Sequence, residues 1–243
     1  MSKSRILFVS TFVILAVLFL FFGDYKFNQA GKINDFLVKD EQAGELTQHY
    51  HEKLAEHLSK EVDVNHNAVV FLGDSITEYY DVTKVDENAI NYGISMDTTV
   101  GLIRRIPDYQ TLNNASLIFL LIGVNDINRY NRSPLLIAKK YDAIIKMLPE
   151  SVPVVFADVL PVDERVGFHG YNIIIKGINQ KIDEISRSNS RVTYLELYRH
   201  IVDETGNLSS LYHDGYGVHL NKDGYKILTQ KISRAVKQKA LRQ

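Results

Sequence analysis

The chain has no cysteine. That excludes disulfides, zinc–thiolate sites, iron–sulfur clusters, thiol nucleophiles and a lipid carried on an N-terminal cysteine. It also lacks an excess of basic charge: 28 Lys and Arg stand against 29 Asp and Glu, a formal net charge of −1. No global positive field is available to attract nucleic acid, so no nucleic-acid partner is expected. There is no internal repeat, no low-complexity tract and no Gly-x-Ser-x-Gly elbow. The missing elbow removes the α/β-hydrolase pattern. What remains, with 45% apolar and 23% charged residues, has the make-up of an ordinary globular body rather than a disordered one.

One long apolar run is present. Lys3 and Arg5 precede it, and it extends from Ile6 to Phe22, interrupted by Ser10 and Thr11. At about 1.5 Å per residue a helix of this length nearly crosses a hydrocarbon core of about 30 Å. The run exceeds the usual signal-peptide core, and Phe21-Phe22-Gly23-Asp24 is a poor cleavage site. Residues 1–23 therefore read as a signal anchor that holds the chain in a membrane through residues 6–22. The charges before the span predict a cytoplasmic N-terminus and an extracytoplasmic body; secretion after cleavage is the alternative. Residues 24–40 read as a linker and residues 41–243 as one domain.

Within that domain, Glu41–Glu61 carries Leu46, Tyr50, Leu54 and Leu58 at spacings of four, which predicts a helix packed on the core. His49, His51 and His57 share it; without further ligands nearby they read as solvated positions, not a metal site. Short apolar runs follow at Ala68–Leu72, Ala89–Tyr92, Leu117–Ile122, Val154–Val159 and Val192–Leu197. Such runs suit strands buried on both faces of a parallel sheet. Helical patterns fill the gaps at Thr98–Ile106, Ser133–Leu148, Tyr171–Ser186 and Asp223–Leu241. The alternation predicts an α/β fold with helices on both sides of the sheet. In such sheets ligands gather at the carboxyl ends of the strands. Gly73-Asp74-Ser75, Gly93 and Gly123-Val124-Asn125-Asp126 all fall there.

A serine hydroxyl needs a base to take its proton and donors aimed at the oxyanion that forms. Ser75 follows a strand and opens a helix, a place that exposes its hydroxyl and turns backbone N–H groups outward. A helix N-cap is the structural alternative. Asp74 and Asp126 read as structural acceptors for loop N–H groups.

Four blocks carry a resemblance: Val69-Val70-Phe71-Leu72-Gly73-Asp74-Ser75-Ile76-Thr77-Glu78, Asn91-Tyr92-Gly93-Ile94-Ser95, Ile122-Gly123-Val124-Asn125-Asp126 and Val218-His219-Leu220-Asn221. In this order and spacing the chain resembles the SGNH, or GDSL-type, hydrolases. The resemblance implies a three-layer α/β/α sandwich with a five-stranded parallel sheet, flavodoxin-like in topology. It implies Ser75 as nucleophile and His219 as general base. The oxyanion hole would be the N–H groups of Ser75 and Gly93 with the side-chain amide of Asn125. No metal and no organic cofactor are implied.

The family usually places an aspartate three residues before the histidine; here that position is Tyr216. Asp214, five residues before His219, is the nearest acid, and Gly215 and Gly217 could let the loop bulge. A triad through Asp214 and a Ser–His dyad are both open. The expected activity is hydrolysis of a carboxylic acyl-ester substrate through an acyl-enzyme, with an acetyl group on an envelope carbohydrate as the favoured substrate. A lysophospholipase or thioesterase, an O-acyltransferase and a catalytically silent assembly protein are the alternatives.

Overall fold

The computed structural model describes residues 46–61 and 67–240. The expected membrane span and linker lie outside these residues. Among the described residues no helix is long and apolar enough to cross a membrane.

Five strands form one parallel sheet: β1 Val69–Gly73, β2 Ile90–Gly93, β3 Leu117–Leu121, β4 Val154–Ala157 and β5 Val192–Leu195, in the order β2-β1-β3-β4-β5. All five expected runs are strands. The inner strands β1, β3 and β4 are buried along their whole length, as continuous apolar runs require, and the edge strands β2 and β5 are only partly so. The helices are α1 Gln48–Lys60, α2 Ser75–Glu78, α3 Thr99–Arg105, α4 Val124–Tyr130, α5 Pro134–Met147, α6 Tyr171–Arg187 and α7 Lys222–Ala240. Thr47 caps α1 and Ser133 caps α5, each accepting a bond from an N–H of the first turn, with Pro134 opening α5.

Both sheet faces are covered. On one, Phe71, Phe119 and Val155 pack with Leu228 and Ile232 of α7. On the other, Tyr141 of α5 meets Phe156 edge-on at 5.2 Å, and α5 packs against α6. The Tyr50 hydroxyl donates to Gly101 O at 2.9 Å and joins α1 to α3. The layers are α/β/α, as expected.

One expectation fails in α1. His57 is buried and bonded through Nδ1 to the Tyr109 hydroxyl at 2.9 Å; it is not a solvated position. Leu54 and Leu58 are only half-buried. Steps of four residues turn a helix by about 40° beyond a full circle each time, so a long stripe at that spacing rotates off the core. The buried pair is Tyr50 and His57, seven residues apart.

Register brings the site together. Gly73 of β1 pairs with Gly93 of β2 on one side and Leu121 of β3 on the other. The chain therefore leaves three adjacent strands at one level, carrying Ser75, the 94–97 turn and Asn125. Strand β1, flanked by β2 and β3, marks the point where the strand order reverses, where α/β sheets open a crevice.

Candidate active site

Asp74, not Ser75, is the N-cap of α2: its Oδ1 accepts from Ile76 N at 3.0 Å. Ser75 is the first residue of the helix. Asp74 is wholly buried, and desolvation pushes its carboxyl up to about 7. Its Oδ2 has no hydrogen-bond partner among the described residues, which a proton on that oxygen would make less costly.

The hydroxyl of Ser75 lies 3.0 Å from Nε2 of His219. The two are 144 residues apart in sequence; Ser75 is buried and His219 half-buried. The His219 ring also meets the Tyr79 ring edge-on at 5.6 Å.

His219 sits in a loop closed by an antiparallel bridge between His213 and Leu220, with Asp214 N donating to His219 O at 3.1 Å. Gly215 and Gly217 have φ of 102° and 78°, conformations that side chains rarely adopt, and these let the loop bulge. The bulge carries Asp214 back toward the imidazole: its Oδ2 is 3.8 Å from His219 Nδ1. That is ion-pair range but beyond a hydrogen bond. The other carboxylate oxygen accepts from Tyr216 N at 3.0 Å.

The loop has a second aspartate–histidine pair that the sequence reading missed. His213 Nδ1 accepts from Gly215 N at 2.9 Å, so Nε2 carries the proton and faces Asp163 Oδ2 at 3.3 Å. Asp163 N donates to Gly217 O at 2.8 Å, and Arg165 Nε donates to its carboxylate at 2.7 Å. The Arg165 bond holds the Asp163 carboxyl below its usual range. Asp163 and His213 are 50 residues apart, and no motif joins them.

The oxyanion side is assembled differently from the expectation. The N–H of Gly93 donates to Asn91 Oδ1 at 2.8 Å and so has a partner inside the chain. The same Asn91 donates to Thr77 O at 2.7 Å and Tyr80 O at 2.9 Å, clamping α2 to β2. A Cβ on Gly93 would overlap the backbone of Thr77 and Glu78. Glycine stands there so that α2 can lie on the strand end.

Beyond Gly93, Asp97 N donates to Ile94 O at 3.1 Å and closes a four-residue turn with Met96 in third place. Met96 has φ of 64°, a value that type II turns require there and usually give to glycine. Its carbonyl accepts from Arg129 Nη1 at 2.8 Å, and its side chain is 51% exposed, far from the core role a methionine normally fills. Asn125, in the first turn of α4, donates through Nδ2 to Asp97 O at 3.0 Å, leaving the second amide hydrogen for a ligand. Asp126 has the structural role expected of it: its carboxylate accepts from Thr99 N at 2.9 Å, Thr99 Oγ1 at 2.6 Å and Arg132 Nη1 at 2.9 Å. The Glu78 carboxylate lies 2.9 Å from His49 Nε2 and accepts from Ser95 N. Among the described residues, no group of three or more His, Asp or Glu side chains is placed to hold a metal ion.

A serine against a histidine at the carboxyl edge of a parallel α/β sheet defines the class of fold and site. The chain belongs to the GDSL-like lipase/acylhydrolase family, whose model matches residues 71–227. It is 26% identical over 205 residues to an N-acylneuraminate cytidylyltransferase of Escherichia coli O18:K1:H7, a match covering 82% of this chain and 47% of that protein. The chain thus spans about half the length of that relative. Among solved structures it is similar to a Streptococcus pneumonia protein provisionally described as a platelet activating factor (TM-score 0.71, 22% identity, 86% of this chain and 98% of that one). It is similar too to a carbohydrate esterase family 3 protein from Talaromyces cellulolyticus (0.59, 15%, 71% and 97%). A further similar structure is the C-terminal catalytic domain of peptidoglycan O-acetyltransferase A from Streptococcus pneumoniae (0.56, 14%, 72% and 95%). At these identities the structural likeness establishes the fold.

Proposed function

We propose that this acylhydrolase is a serine esterase that removes a small acyl group, acetyl in the first instance, from a carbohydrate of the cell envelope. The observation that carries the chemistry is the 3.0 Å approach of Ser75 Oγ to His219 Nε2. His219 takes the hydroxyl proton as Ser75 attacks the ester carbonyl, then returns it to the leaving alcohol. It next takes a proton from water as that water attacks the acyl-enzyme carbonyl. Collapse of the tetrahedral adduct breaks the bond to Ser75 Oγ, His219 returns the proton to that oxygen, and the acid leaves.

The oxyanion is received by the Ser75 N–H and the free hydrogen of the Asn125 amide. The Gly93 N–H is already engaged by Asn91 and adds no free donor. The substrate class is supported by two similar structures, the carbohydrate esterase and the peptidoglycan O-acetyltransferase domain. The apolar run 6–22 supports a membrane-anchored, extracytoplasmic body.

Aryl esters of increasing chain length, assayed with the purified chain and with Ser75→Ala, test this. Acetate esters should be turned over fastest, and Ser75→Ala should lower kcat by about 10⁴-fold or more. Equal activity in both proteins would remove Ser75 from the mechanism. Preference for long acyl chains would move the substrate to lysophospholipids or thioesters. The O-acetyltransferase similarity favours a second reading, transfer of the acyl group to a sugar hydroxyl. Faster acyl-enzyme breakdown with a soluble glycan than with water alone would select it.

A further inference from the structure

The ground beneath Ser75 is organised around one guanidinium. Arg105, the last residue of α3, is wholly buried. Its Nη2 donates to Gly73 O at 3.0 Å, its Nη1 to Tyr92 O at 2.7 Å and the Tyr109 hydroxyl at 2.9 Å, and its Nε to Asp97 Oδ2 at 2.9 Å. Charge balance needs only Asp97. The other bonds join two main-chain carbonyls that no single apolar side chain could join: the last residue of β1 and the residue before Gly93 in β2. A buried ion pair of this kind is often no more stabilising than a hydrophobic replacement, so stability alone is a weak account of it.

Each proposed oxyanion donor is tied to this guanidinium through a short path. Gly73 O lies two residues before Ser75. Asp97 is bonded through its side chain to Arg105. Asn125 donates its amide to the carbonyl of the same Asp97. We propose that Arg105, through Asp97, is a positioning residue that sets the oxyanion donors relative to the Ser75 hydroxyl. This rests on the serine-esterase reading above. The role needs the planar fork of arginine; a lysine keeps the charge but reaches its partners from one point.

The test is a double-mutant cycle between Arg105→Lys and Asn125→Ala, read as kcat and KM for an aryl acetate. Rates are expressed per active site titrated with a fluorophosphonate that labels Ser75. Arg105→Lys should lower kcat per titrated site by about 10- to 100-fold with KM changed less than about threefold, the pattern of an interaction made in the transition state. Combined with Asn125→Ala, it should cost much less than the product of the two single losses, because both act on the same donor. Simple multiplication of the two losses overturns the proposal. So does an Arg105→Lys protein with fewer titratable sites but normal kcat at each, which would make the residue structural only. If Arg105→Lys does not fold, Tyr109→Phe removes one bond from the guanidinium, and its cycle with Asn125→Ala decides in the same way. Failure of the fluorophosphonate to label the unaltered chain would instead overturn the serine-esterase reading itself.

Discussion

The two sides of the site are built to different tolerances. On the nucleophile side, Arg105 and Asp97 have side chains 0% and 1% exposed, with every bond of the guanidinium at 3.0 Å or less. On the base side, His219 and Asp214 are 36% and 34% exposed and stand 3.8 Å apart. The first arrangement is over-determined: several partners would have to move together for the Ser75 strand end to shift. The second is a surface loop anchored from behind by Asp163 and His213 and open to water in front. The proposed oxyanion donors gain from rigidity, since electrostatic stabilisation works best when no reorganisation accompanies the reaction. In the proposed mechanism His219 moves a proton between serine, leaving group and water, and tolerates slack.

The largest effect should come from the base itself. His219→Ala should lower kcat by at least about 10⁴-fold, because the loosely held side still carries an indispensable proton acceptor. A loss under about 10²-fold, read with aryl acetate, would mean another group takes the proton. Next comes the rigid side. Asn125→Ala should cost about 10²- to 10³-fold in kcat with KM little changed, the usual range for one oxyanion donor. A change confined to KM would remove it from the oxyanion hole. Asp214→Asn should cost about tenfold or less, well short of the roughly 10⁴-fold tied to a buried, hydrogen-bonded triad aspartate. A loss near 10⁴-fold would show that the loop closes on substrate and completes a triad, and the contrast between the two sides would then vanish during turnover.

Most of the rigid frame was legible in the sequence, and most of what makes it rigid was not. Continuous apolar runs located all five strands, since a strand buried on both faces needs them. Leu117–Ile122 overshot β3 by one residue, and two other runs were read two residues too long, across Asp158 and Glu196. The strands stop at Ala157 and Leu195, and Asp158 turns its carboxylate to the N–H groups of Leu197 and Tyr198 at 2.9 and 2.8 Å. The motif blocks pointed to Ser75, Asn125 and His219, and the fold brings Ser75 and His219 within 3.0 Å. They gave Gly93 the wrong reason: its missing side chain admits α2, while its N–H serves Asn91. Arg105 left no signal, because an arginine in the last turn of a helix is what the helix dipole favours anyway. Nothing but the folded chain distinguishes it from its exposed neighbour Arg104. Asp163 and His213 escaped for a similar reason, having no local pattern.

The rigid side also carries a liability in acid, through the histidine that the helical pattern misplaced. His57 bonds the Tyr109 hydroxyl, which is a partner of Arg105. Burial, and then the positive charges of Arg105 and Lys53, pull the His57 imidazole down to about 3, against smaller opposing effects of Glu56 and Glu78. Its ordinary value is about 6.5. Between those values the unfolded chain binds a proton that the folded chain refuses. The contribution of His57 is therefore complete above about pH 6.5 and is lost progressively as pH falls toward 3. Asp74 and Asp158, each pushed by burial up to about 7, titrate in the opposite sense and mask part of the slope. A variant comparison removes the mask. His57→Gln keeps a polar group for Tyr109 but has no proton to gain. Urea midpoints at pH 7 and 4.5 should show the unaltered chain losing about 2 kcal/mol more than His57→Gln over that interval. Parallel losses would mean that the imidazole is protonated within the fold at moderate acidity, and that the pocket beneath the rigid side is wetter than its bonding suggests.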